Sequence, residues 1–175
     1  MEQHPRVVIR RSRSSEWKAL RALRLRALET DPLAFGSTLA EEAGLDEGRW
    51  RSRAARDSES TTTSQWVAED VSGRLIGSAV VAEVEGKVFL FAMWVETRFR
   101  GQGVGGRLLD RALAWARSAF PGQDVYLDVN PRQVAAVHLY ESRGFRRSAA
   151  DRPLGHTGGE SRYAMVLEAS KMADE

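Results

Sequence analysis

The stretch Arg98-Phe99-Arg100-Gly101-Gln102-Gly103-Val104-Gly105-Gly106 stands between an apolar run ending at Val95 and an amphipathic run beginning at Val104. Four glycines in six residues let the backbone approach a ligand closely and turn its N–H groups inward. The run from Val104 through Leu108, Ala112 and Trp115 or Ala116 has helical spacing, so a helix opens directly out of the turn. Its unpaired amides and the positive end of its dipole then face the same point. With Arg98 and Arg100 beside it, the turn is a seat for an anion, most simply a diphosphate.

Upstream, the pattern alternates with a period of two. Residues 65–69 read as a strand, Ser72-Gly73 turns the chain into a second strand at 75–84, and Glu85-Gly86 turns it again into a third at 88–95. Strands joined by such short turns are antiparallel. Further back, 7–9 reads as a short first strand. Ser14 or Ser15 caps a helix running to about Glu29, with Trp17, Leu20, Leu23, Ala27 and Leu28 as its apolar stripe. A second helical region, 38–56, is broken near Gly44 and Gly48, and the small polar run 58–64 reads as a surface loop.

Downstream, Pro121-Gly122 ends the helix and 125–129 gives a strand. Because it is reached across a helix, that strand should lie parallel to 88–95. A helix over 134–142, a strand opening at Gly144-Phe145 and a last strand at 161–167 complete the chain, with a Gly- and Pro-containing loop at 148–160. The expected fold class is α/β with a mixed sheet, in one domain covering 1–175.

Composition narrows the possibilities. The chain has 175 residues, a net charge of +2 and no cysteine, which excludes disulfides, thiol catalysis and thiolate metal sites. It has only three lysines, Lys18, Lys87 and Lys171, and its arginines are dispersed, so no basic patch for nucleic acid is expected. No run of eighteen apolar residues is present, and residues 1–13 lack the apolar segment of a secretory leader. No membrane association and a cytoplasmic address are the expectations. His4, His138 and His156 have no metal-ligand spacing, so no metal is expected.

Gly101, Gly103 and Gly106 match the dinucleotide fingerprint, but that motif belongs on the first strand of a parallel array and here follows an antiparallel meander. A nucleotide-triphosphate loop would need Gly-Lys-Ser/Thr where this chain has Gly105-Gly106-Arg107. The segment resembles instead motif A of the GCN5-related N-acetyltransferases, Arg/Gln-x-x-Gly-x-Gly/Ala, with Arg100, Gly103 and Gly105 in place. Residues Ala136-Val137-His138-Leu139-Tyr140-Glu141-Ser142-Arg143-Gly144-Phe145 resemble the family's motif B, Ala-x-x-x-Tyr-x-x-x-Gly-Phe. The order and spacing of the two motifs also match. Leu23 to Leu28 and Pro32-x-Ala34-Phe35-Gly36-Ser37 resemble the front end of bacterial members.

The resemblance implies a GNAT-like fold with a splayed parallel strand pair, and acetyl-CoA as cosubstrate. It implies that the backbone of Arg100, Gly101, Gln102, Gly103, Val104, Gly105 and Gly106 holds the cofactor diphosphate. It also implies that the amide of Val95 polarises the acetyl carbonyl and that Tyr140 protonates the departing thiolate. Read from the residues alone, Tyr140 is a core aromatic on an amphipathic helix. Asp128 stands where related ribosomal-protein acetyltransferases carry a glutamate base, and its plain reading is a strand-end aspartate bonded to the Asn130-Pro131 turn. Glu83, Glu85 and Glu96 are the other candidates for the base. Gln133 replaces the asparagine the family usually has seven residues before the tyrosine; its longer amide keeps both functions. Asn130 reads as the cap of a helix starting at Pro131.

The implied reaction is direct attack of a primary amine on the thioester, with an acceptor that is a small amine, an antibiotic or a protein N-terminus or lysine. The acceptor site is expected between 35–42, with Trp50, and the loop 148–160, where Glu41, Glu42, Asp46 and Glu47 would attract a cation if they are not a solvated face. His156 is a candidate contact there. A non-catalytic acyl-CoA-binding module on the same fold is the alternative. A homodimer is compatible with either.

Overall fold

A computed structural model describes residues 6–148 and 162–172 of the chain. The strands are β1 (Val8–Arg11), β2 (Thr63–Glu69), β3 (Leu75–Val84), β4 (Lys87–Val95), β5 (Val125–Val129), β6 (Arg146–Arg147) and β7 (Tyr163–Leu167). The helices are α1 (Trp17–Thr30), α2 (Leu39–Ala43), α3 (Glu47–Glu59), α4 (Val104–Ala119), α5 (Val134–Ser142) and α6 (Ala169–Met172). One seven-stranded sheet takes the order β1-β2-β3-β4-β5-β7-β6. The expected meander is present: β1 to β4 pair antiparallel in sequence, and β4 meets β5 in parallel. Glu85 and Gly86 both have positive φ, 51° and 77°, which is what a two-residue turn between right-twisted strands requires.

Each face of the sheet carries its own core. On one side α4 and α5 cover Ile76, Val81, Leu90, Val95 and Leu127, with Leu108, Leu109 and Ala112 fully buried. On the other, α1 and α3 bring Leu20, Leu23 and Trp50, and the turn after α1 brings Phe35, against Val67, Leu75 and Trp94. Burying each of these large side chains contributes about 1.5–3 kcal/mol.

Several boundaries differ from the sequence reading. Gly48 does not break a helix: Asp46 Oδ1 accepts from Arg49 N at 2.8 Å, and that cap starts α3 ahead of the glycine. Residues 58–64 are not a single loop, because α3 continues to Glu59 and β2 begins at the buried Thr63 and Ser64. Asn130 does not cap a helix at Pro131. Its Oδ1 accepts from Arg132 N at 2.9 Å in a local turn, and α5 begins at Val134.

A feature absent from the sequence reading sets the site. Ser78 pairs with Trp94 and Val80 with Phe91, so two residues of β4, Ala92 and Met93, stand opposite Ala79 alone. Ala92 has φ 49°, a left-handed value that costs a non-glycine residue about 1 kcal/mol. Ser78 Oγ holds the bulge by donating to Ala92 O at 3.0 Å. The inserted residue inverts the alternation of β4. Val88 and Leu90 face α4 before it, and Met93 and Val95 face α4 after it, while Ala92 and Trp94 turn toward α1.

Candidate active site

The strands β4 and β5 pair only through Val88↔Val125 and Phe89↔Tyr126. Beyond that point β4 stays with β3 as far as Val95, and β5 stays with β7 as far as Val129. The facing edges of 90–95 and 127–129 therefore part, leaving a wedge with exposed main-chain polarity on both sides. A wedge of this kind accepts an extended ligand by strand-like hydrogen bonding.

Val95 stands at the open end of the wedge. Glu96 N donates to Ile76 O at 2.8 Å, so the alternation of an antiparallel ladder makes Gly77↔Val95 a pair without mutual hydrogen bonds. The N–H and C=O of Val95 thus point away from β3. Its carbonyl accepts from Arg100 Nε at 2.8 Å, which fixes the end of the strand to the glycine turn.

The turn itself is left-handed at Gly101 (φ 72°) and Gly103 (φ 77°), and a Cβ at either position would meet nothing within 4 Å. The first helical hydrogen bond of α4 runs from Arg107 N to Gly103 O at 3.0 Å. The amides from Gln102 to Gly106 precede it and are available to an anion. Gly105 lies where a Cβ would be 3.4 Å from Leu139 and 3.6 Å from Met93, so α4 starts in close contact with α5 and β4. At Gly106 a Cβ would fall 2.5 Å from Arg143 Nη2. The Arg143 guanidinium thus lies over the first turn of α4, held by Asp110 at 2.9 and 3.2 Å. Arg143, which the sequence did not single out, packs with its ion-paired guanidinium against the start of α4.

The flanking arginines have structural partners. Arg100 Nη2 meets Asp31 Oδ2 at 2.5 Å in addition to its bond to Val95, and Arg98 pairs with Glu96 at 2.9 Å. Gln102 Nε2 donates to Arg98 O at 2.9 Å, bracing the turn. Of these residues, main chain rather than side chain is what the turn presents.

Tyr140 is 6% exposed and sits in the same buried cluster as Val95 and Val129, its ring 5.8 Å from that of Phe145. Burial pushes its phenol above the ordinary value. Among the described residues none hydrogen-bonds its hydroxyl. Asp128 is half-buried and alternates with the core-facing Leu127 and Val129, so it looks to the opposite side of β5 from Tyr140. Gln133 is half-buried at the residue before α5. Among the other base candidates, Glu96 is held by Arg74 at 2.9 Å and by Arg98, and Glu83 and Glu85 are exposed. His138 is exposed on α5, while His4, His156 and 149–161 lie outside the described residues.

The alternative of a solvated face holds for Glu41, Asp46 and Glu47, which are exposed, and not for Glu42. Glu41 closes a capping box with Thr38, Asp46 caps α3, and Glu47 pairs with Arg51 at 2.6 Å. Glu42 is buried between Arg24 at 2.8 Å and Arg53 at 2.7 Å. Its burial alone would raise the carboxyl pKa. The hydrogen bonds and charge of Arg24, with Ser37 and Arg53, overcome that and hold it at about 2.

Known proteins converge on this architecture. A family model described as "Acetyltransferase (GNAT) family" matches residues 20–145. The N-alpha-acetyltransferase RimI of Mycobacterium tuberculosis is 27% identical over 152 residues, covering 78% of this chain and 93% of that protein. The crystal structure of a GNAT-family acetyltransferase from Streptococcus pneumoniae superposes with a TM-score of 0.75 at 24% identity, over 93% of this chain and 99% of the other. The structure of YncA, a putative acetyltransferase from Salmonella typhimurium with its cofactor acetyl-CoA, gives 0.71 at 20% identity, over 94% of each chain.

Proposed function

Because the chain belongs to the GNAT acetyltransferase family, we propose that it transfers the acetyl group of acetyl-CoA to a primary amine by direct attack. The observation that carries this reading is the parting of β4 from β5 after Phe89↔Tyr126, with the glycine turn at one end of the wedge. A pantetheine arm fits the wedge as an added strand. The diphosphate fits the amides from Gln102 to Gly106, with the α4 dipole favouring its charge; the Arg100 N–H, expected to join them, is instead spent on Thr97 O at 3.2 Å. Gln133, ahead of α5, serves as a further cofactor contact in this reading.

The amine nitrogen attacks the thioester carbon, and the carbonyl oxygen gains the charge. The outward N–H of Val95 donates to that oxygen, at a position held by the bond from Arg100. The C–S bond then breaks and the sulfur takes the phenolic proton of Tyr140, which burial keeps protonated across the working range. The proton released by the amine passes to Asp128, directly or through water. Holding both reactants in the wedge removes orientational entropy from the barrier.

Calorimetric titration with acetyl-CoA, using NADH as control, tests the cofactor assignment. Thiol-release assays with a panel of amines then test the reaction. Binding of acetyl-CoA alone supports the reading, and no binding of it overturns the reading. Binding without turnover of any amine makes the chain an acyl-CoA-binding module instead.

A further inference from the structure

An open cavity of about 420 Å³ lies between the α1–α3 layer and the sheet. Its charged lining is Arg24, Arg53 and Arg56 with Glu42, Asp57 and, exposed at the rim, Glu83; Trp50 and, on β4, Phe91 and Ala92 add the apolar part. Ala92 is the bulge residue, three positions before Val95, so the cavity opens about 10 Å along the strand from the place assigned to the acetyl carbonyl. That spacing suits the far end of an acceptor whose amine reaches the wedge.

The donors and acceptors in this cavity are unequal. Both oxygens of Glu42 are taken, one by Arg24 and Ser37 and the other by Arg53. Oδ1 of Asp57 is taken by Arg56 at 2.7 Å. The cavity's buried side-chain polar atoms left without a partner, among the described residues, are Trp50 Nε1 and Arg24 Nη1. Both are donors. Trp50 is 3% exposed, so its N–H has no recourse to solvent. Arg24 and Arg53 are also held rigid by stacking, Arg24 over Phe35 at 4.3 Å and Arg53 over Trp50 at 4.8 Å.

We infer that this cavity binds a carboxylate at the end of the acceptor remote from its amine, received by the Trp50 N–H and the free edges of the Arg24 and Arg53 guanidiniums. A carboxylate supplies acceptors only, which complements two buried unpaired donors. A second ammonium has nothing to offer those two donors. The acceptor is accordingly an amine bearing a carboxylate rather than a polyamine. This inference rests on the amine-acetylation reading for its second end, but the cavity can be tested without the chemistry.

The test titrates the protein, in the presence of coenzyme A, with three probes of matched length: 6-aminohexanoate, hexanoate and 1,6-diaminohexane. The two carboxylates should bind, and 6-aminohexanoate should bind at least tenfold more tightly than the diamine. Trp50→Phe removes the N–H together with part of the ring over which Arg53 stacks, and Ala82→Leu narrows the cavity from β3 while leaving the donor residues in place. Each should reduce the carboxylate-to-diamine affinity ratio at least tenfold, and if Trp50→Phe does not fold, Ala82→Leu carries the test. Equal or tighter diamine binding, no binding of any probe, or an unchanged ratio in the folded variants overturns the inference. Thiol release is read separately. Carboxylate binding without acetyl transfer to any amine removes the proposed function and leaves the cavity assignment standing, whereas transfer indifferent to the carboxylate does the reverse.

Discussion

Trp94 Nε1 donates to Asp31 Oδ2 at 2.7 Å, joining the strand just past its bulge to the residue that ends α1. The same oxygen receives Arg100 Nη2, and Arg100 Nε reaches Val95 O. One carboxylate thus connects the helix layer on one face of the sheet to the glycine turn and to the peptide at the head of the wedge.

Asp31→Ala is therefore expected to act in two places. Trp94 is 4% exposed, so its N–H is left without an acceptor where water cannot replace it, a loss of about 1–3 kcal/mol in urea unfolding. Arg100 loses one of its two anchors, so acetyl-CoA affinity should fall severalfold as well. Unchanged affinity in a folded Asp31→Ala protein would separate the clamp from the cofactor site.

Glu42 gives a pH signature. Its folded pKa of about 2 lies below the ordinary glutamate value, so its contribution to stability is present above the unfolded pKa. That contribution is lost as pH falls through the range between the ordinary value and about 2. The side chain is 6% exposed, and the shift corresponds to roughly 3 kcal/mol. Glu42→Gln should lower the unfolding free energy at pH 7 by that order. It should also flatten the acid dependence of stability in that window. Parallel acid profiles for the two proteins would show that Arg24 and Arg53 do not hold this charge.

The meander, the crossover to β5 and the two motif-bearing helices were legible because each rests on local chemistry: turn residues, alternation and helical spacing. The bulge was not. Nothing in Phe91-Ala92-Met93 announces an inserted residue, since alanine is not a left-handed former and the φ of 49° is imposed by pairing on both sides. The inverted alternation after it decides that Trp94 faces α1 and Met93 faces α4. The fate of the acids on α2 and α3 was hidden for a related reason. Glu42 differs from its neighbour Glu41 only through partners at Arg24 and Arg53, which are remote in sequence. Arg143, read within motif B only as a position, reaches Gly106 across the contact between α5 and α4.

Glycine substitutions should separate by what a Cβ would meet. At Gly77 it would lie 2.9 Å from Trp94 O and 3.1 Å from Leu108, backbone and a fully buried side chain that cannot withdraw. At Gly106 the nearer contact, 2.5 Å, is with the far end of the Arg143 side chain, which can swing aside. Gly77→Ala should thus be the more destabilising by about 1–3 kcal/mol, and Gly106→Ala should chiefly alter acetyl-CoA affinity. Thermal unfolding of both, with titration of each, decides the order.

Tyr140→Phe isolates the proton donor from the fold. The ring contact with Phe145 survives, and no described residue loses a hydrogen bond, so stability should change by less than about 1 kcal/mol. Acetyl-CoA binding should be retained, because the diphosphate seat lies on α4 and the turn before it. The catalysed step should slow by about 10²–10⁴, the usual effect of removing a positioned acid. The pH profile adds a check on the role. Because burial raises the phenol pKa, the wild-type rate should show no alkaline decline from Tyr140 below pH ~10. A rate limb near pH ~8, where an α-amine titrates, belongs instead to the acceptor and should persist in the variant. A turnover rate equal to wild type would assign the proton transfer to another group, and loss of that limb in Tyr140→Phe would show that the phenol itself titrates there, against the raised value that its burial implies.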